Sequence, residues 1–87
     1  MSESFTVVYI YQKVHPEINK LLDVLNSYKN FNIVKTSGEG PTPFAFHVAK
    51  TPALIMYDKD NRKNELRRSY GTQHIKNVLN GLIEKNA

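Results

Sequence analysis

Apolar residues along this chain fall into two patterns, nearly continuous runs and stripes at helical spacing. Phe5 to Tyr11 is β-branched and aromatic almost throughout, the composition of a central strand covered on both faces. Ile18, Leu21, Leu22, Leu25 and Tyr28 then recur at i, i+3, i+4, i+7 and i+10, one face of a helix. Pro16 stands at its first position, where the missing N–H would be unpaired anyway, and Asn30 ends it. Asn32 to Thr36 reads as a second short strand. A strand–helix–strand unit of this length predicts a parallel pair. Thr36 to Pro43 carries two glycines and two prolines and is the main break. Thr42 and Pro43 are placed as cap and first position of a short helical segment through Phe44, Ala45 and Val48.

The second half begins at Pro52, which cannot donate to a sheet ladder and so belongs at the mouth of the apolar strand Ala53–Tyr57. Asp58 to Lys63 is a polar turn. Asn64 to Tyr70 is charged enough to be an edge strand, where Arg67 and Arg68 discourage sheet-to-sheet association. Gly71 breaks that strand and Thr72 is placed to cap a last helix with the stripe Ile75, Val78, Leu79, Leu82 and Ile83. Gly81 costs this helix about 1 kcal/mol relative to alanine, which the stripe outweighs. The order strand, helix, strand, helix, strand, strand, helix predicts one α/β domain over residues 1–87, with Met1 to Ser4 frayed. In it the Phe5–Tyr11 and Ala53–Tyr57 strands are adjacent and antiparallel. The helices from Pro16 and Thr72 share one face, and the short central helix covers the other.

Composition narrows the chemistry. The 87 residues contain no cysteine, which removes disulfides, thiolate metal sites and thiol nucleophiles. No apolar run is long enough to span a membrane and the N-terminus lacks a signal-peptide layout, so a cytoplasmic location is expected. The net charge of +4 comes mostly from dispersed lysines. Arg62, Lys63, Arg67 and Arg68 form the one approach to a basic cluster, read either as a solubilising edge or as a nucleic-acid footprint. Lysine outnumbers arginine three to one and asparagine is frequent, which points to an AT-rich genome such as that of a phage or low-GC bacterium.

Several residues bring a resemblance into view. Val7 to Tyr11 leads into a turn, and His47-Val48-Ala49-Lys50-Thr51-Pro52 places an aliphatic residue four positions before the proline. Tyr70-Gly71-Thr72 opens the closing helix. Taken in this order over about residues 5 to 84, the chain resembles the thioredoxin-like superfamily in its minimal β-α-β-α-β-β-α form, a four-stranded mixed sheet flanked by helices. The resemblance implies a cis bond at Thr51-Pro52 and a peptide-pairing backbone just before it. It also locates a departure. Val14-His15-Pro16-Glu17 stands where the family has Cys-Gly-Pro-Cys, so valine and glutamate replace both thiols. Thiol–disulfide exchange needs an attacking thiolate and a resolving thiol, and neither is present.

What remains in that turn has ordinary structural roles. Glu17 in a first helical turn suits the positive end of the macrodipole. His15 can cap the helix, bind an anion or act as a base, but no nucleophile or second acid accompanies it. His47 and His74 lie in different helices without metal-ligand spacing, so no metal or other cofactor is expected. Gly38-Glu39-Gly40 lacks the lysine and the fuller glycine pattern of a phosphate loop and reads as a turn. The tyrosines are core or sheet-face residues by default. The expectation is therefore a non-redox, non-catalytic binding module, an adaptor or inhibitor. It would take a protein or extended peptide at Val14, His15, Pro16, Thr51, Pro52 and Gly71 by main-chain pairing. The alternatives are nucleic-acid association through Arg62, Lys63, Arg67 and Arg68, and an enzyme with non-thiol chemistry.

Overall fold

A computed structural model describes residues 4–59 and 61–86. The expectations for Met1 to Glu3, for Asp60 in the polar turn and for the capping side chain of Thr42 lie outside the described residues and side chains. Four strands, β1 (Phe5–Tyr11), β2 (Phe31–Ser37), β3 (Ala53–Asp58) and β4 (Glu65–Tyr70), form one sheet in the order β2-β1-β3-β4. β1 runs parallel to β2 and antiparallel to β3, and β3 is antiparallel to β4. β1, apolar on both faces, is therefore central, and Val7 to Ile10 are all buried. The charged β4 is an edge, as its composition predicts. A bulge between Met56 and Tyr57 bends its pairing with β3, a second guard on that edge.

Side-chain alternation along the strands divides the core in two. Val7, Tyr9 and Leu54 face one layer, where they pack with Ile18, Leu22 and Leu25 of α1 (Pro16–Asn26) and with Ile75, Val78 and Leu79 of α3 (Thr72–Asn86). Val8, Ile10, Ala53, Ile55 and Tyr57 face the other layer, under Phe46, Val48 and Tyr70. Both long helices thus lie on one face, and the segment after α2 (Thr42–Ala45) covers the opposite one.

Strand ends shift by one residue from the expectation (β2 gains Phe31 and Ser37, β3 gains Asp58, β4 loses Asn64), and α2 starts at Thr42, which was expected as its cap. Three helix boundaries differ for a physical reason. α1 ends at Asn26, not Asn30, because its last bonds tighten to the i−3 carbonyl: Ser27 N–H donates to Val24 at 3.1 Å and Tyr28 N–H to Leu25 at 3.1 Å. Tyr28 still packs on the core from this turn. α2 is a single turn that stops before Val48, because His47 adopts a φ of 56° and the Val48 N–H folds back to the Pro43 carbonyl at 2.7 Å. At α3, Thr72 is the first helical residue and Gly71 takes the cap position. With a φ of 87°, Gly71 ends β4, and its carbonyl accepts the Ile75 N–H at 3.0 Å.

Candidate functional site

The site is built where β1 runs out and β3 begins. Tyr11 ends β1, and the chain passes through Gln12, Lys13 and Val14 to His15, the residue before α1. His15 has extended backbone angles and its side chain makes no capping hydrogen bond, so the capping role open to it from sequence is not taken up. Just before β3 the Thr51–Pro52 bond is cis, and the Pro52 carbonyl accepts the Gly71 N–H at 3.1 Å. That bond draws the start of α3 toward the mouth of β3. Among the described residues, neither the N–H nor the carbonyl of Thr51 has a backbone hydrogen-bond partner.

Two adjoining grooves meet at Gln12 and Thr51. The smaller, about 210 Å³, is lined by Gln12, Lys13, His15, Thr51 and Pro52. The larger, about 460 Å³, continues along Gly38, Pro43, Val48, Ala49 and Lys50. The six residues singled out in the sequence are thus only partly united. His15, Thr51 and Pro52 share one groove, and Gly71 is bonded to Pro52. Val14, 71% exposed, turns away with Pro16 into a separate shallow groove along α1 that also includes Glu17 and Lys20.

Gln12, Lys13, Gly38 and Lys50 were not legible as site residues. The single available signal was the glycine-rich break that places Gly38 opposite Thr51. Gly38 donates its N–H to the Tyr11 carbonyl at 2.6 Å, and a Cβ there would meet the Thr51 Cγ2 at 2.7 Å. Gly38→Ala is therefore expected to destabilise the protein by about 1–3 kcal/mol. Thr51→Ser, which removes that methyl group, should recover part of the loss. Urea denaturation of both single variants and the double variant checks this, and strict additivity would count against the contact.

Glu17 has a partner that its position in α1 did not announce. It is ion-paired and hydrogen-bonded with Lys76 of α3, and that hydrogen bond holds its carboxyl below the usual carboxylate range. The two helices are thereby joined beside the site. Among the described residues no three His, Asp or Glu side chains come together as a metal-holding group, and no helix is long and apolar enough to cross a membrane.

The basic residues do not form one surface. Arg68 fans over the α2 side of the sheet. It donates to both carboxylate oxygens of Glu65 (3.0 and 2.8 Å), to the carbonyls of His47 (2.8 Å) and Phe46 (3.0 Å), and to the Tyr70 hydroxyl (3.0 Å). Arg62 lies 4.1 Å from the Phe46 ring centroid and donates to the Ala45 carbonyl at 3.1 Å. Arg67 is in register with Met56, on the opposite face from Arg68, which is in register with Ile55. Lys63 is exposed in the turn before β4. Two of the four cations therefore hold the segment after α2, and the other two point elsewhere.

No family model and no curated protein matches this sequence. Among solved structures the chain is similar to the protein Trxlp of Edwardsiella tarda, with 20% identity, a TM-score of 0.68 and coverage of 93% of this chain and 84% of that one. A thioredoxin variant from Halobacterium salinarum matches with 16% identity, a TM-score of 0.70 and coverage of 94% and 74%. An Entamoeba histolytica thioredoxin variant matches with 16% identity, a TM-score of 0.65 and coverage of 97% and 83%. With these neighbours, this sheet order and no cysteine in the chain, the protein has a thioredoxin-like fold that lacks the Cys-X-X-Cys motif.

Proposed function

We propose that the protein is a non-redox binding module, an adaptor or inhibitor that holds an extended segment of a partner protein at the Thr51–Pro52 face. The observation that supports this reading is the unpaired Thr51 backbone lying between the two grooves. A donor and an acceptor presented beside a cleft are what strand addition uses, with main-chain bonds for affinity and the grooves for side chains. No thiol is needed for such binding. The lack of cysteine excludes disulfide exchange by this chain and places no limit on main-chain pairing.

The test compares what is retained from a native-host extract by three forms of the protein, each first shown to melt like the wild type. His15→Trp fills the smaller groove, and Lys63→Glu with Arg67→Glu reverses the basic residues that the fold does not use. Arg68 is left alone because it is a structural clamp. The wild type and the charge-reversed form are expected to retain the same protein partner, and His15→Trp to lose it. If His15→Trp retains the partner and the charge-reversed form loses it, the groove is not the binding surface. Retention of nucleic acid with a steep fall in affinity as salt is added would favour the basic-edge alternative.

A further inference from the structure

We infer that the segment held in this groove is acidic, an extended stretch carrying carboxylates on both sides of the residue that pairs with Thr51. The inference rests on the peptide-binding reading above and adds the chemistry of the partner. The ionisable groups lining the two grooves are Lys13 and His15 in one and Lys50 in the other, and among the described residues no carboxylate lines either. Lys13 and Lys50 therefore place positive charge on both sides of Thr51. Lys50 stands with its Nζ 5.7 Å from the Tyr70 ring centroid, a contact that keeps its charge beside the groove.

The His15 side chain, which lines the smaller groove, makes no capping hydrogen bond to the first turn of α1 and stays available to a ligand there. The acid in that first turn, Glu17, lies in the separate groove along α1 and is ion-paired with Lys76. A lysine-rich segment laid along Thr51 would meet like charges on both sides, whereas glutamates or aspartates at its flanks would meet cations. The dispersed net charge of the chain does not produce this arrangement. The juxtaposition of residues 13, 15 and 50 around one unpaired backbone does.

The test uses fluorescence anisotropy at low salt with three labelled probes. Two are octapeptide pools with randomised apolar residues at the centre, flanked by glutamates in one and by lysines in the other. The third is an oligothymidylate. The glutamate pool is expected to bind at least about tenfold more tightly than the lysine pool. Lys13→Glu with Lys50→Glu should reverse that order while leaving the melting temperature close to wild type, since both lysines are exposed. If both pools bind equally and both are displaced by His15→Trp, the groove binds peptides and the acidic assignment falls. If neither pool binds up to millimolar concentration, the peptide-binding reading falls with it. Tighter binding of the oligothymidylate than of the glutamate pool would assign the cations to phosphate and overturn the inference.

Discussion

Leu22→Ala is expected to lower the unfolding free energy by about 3 kcal/mol, within the range of about 2–5 kcal/mol for leucine truncation in a packed core. Leu22 is fully buried and lies in the cluster that joins α1, α3 and the Tyr9 side of the sheet. Its neighbours are the packed side chains of two helices and the sheet, which relax only partly into a vacated volume, so most of the cavity term should persist. In a domain of this size the total stability is about 5–10 kcal/mol, and the variant would lose a large part of it. Val24 supplies the control. It lies on the same helix but is 43% exposed, so Val24→Ala should stay within about 0.5 kcal/mol of wild type. Urea denaturation monitored by circular dichroism distinguishes them. The Leu22 variant should shift the midpoint with little change in slope. Equal effects at the two positions would mean that the buried face of α1 has been assigned wrongly.

Arg68→Met should cost about 2 kcal/mol, because the half-buried guanidinium makes five hydrogen bonds and two of them go to the Phe46 and His47 carbonyls. Arg68→Lys should rescue little. A point charge cannot span Glu65, Tyr70 and two carbonyls as the planar fork does. The pair also sets a pH dependence. Hydrogen bonding to Arg68 lowers the Glu65 carboxyl below its usual range, and the guanidinium is correspondingly raised. A carboxyl depressed in the folded state contributes stability above its unfolded pKa, which is lost as pH falls through the folded value. The wild type should therefore lose stability in acid by an increment that Arg68→Met lacks, a small one because Glu65 is well exposed to solvent. Amide exchange at His47 and Val48 should accelerate in the variant, since the clamp holds this turn. Val48 and Ala49 line the larger groove, so the peptide binding proposed there should weaken as well. A variant with unchanged exchange in this turn would show that Arg68 is not what holds it.

The elements themselves were legible because each is written in local chemistry. β1 is apolar at every central position, so it had to be covered on both faces. α1 carries its stripe at helical spacing behind a proline that only a first turn accepts. The missing cysteines remove thiol chemistry whatever the fold. The boundaries at Asn26 and His47 were not legible, because each depends on backbone angles that several residue types can adopt.

Of the residues lining the two grooves, Thr51, Pro52 and His15 stand out in the sequence, where a proline punctuates the chain, and Gln12, Lys13, Gly38 and Lys50 do not. No periodic pattern marks a polar residue whose importance comes from lying across a groove from one far away in sequence. The arginines make the same point more sharply. In the sequence they form one basic cluster beside an edge strand. In the fold, alternation along β4 sends Arg67 and Arg68 to opposite faces, and Arg68 is bound to carbonyls 21 and 22 residues away. Glu17 finds Lys76 across 59 residues. The order of the elements, their buried faces and the excluded chemistry were thus determined by the sequence itself, through short-range periodicity and residue type. Which charges are free and which are spent was decided by the tertiary structure, because a guanidinium or carboxylate is neutralised by whatever the packed chain brings within hydrogen-bond reach.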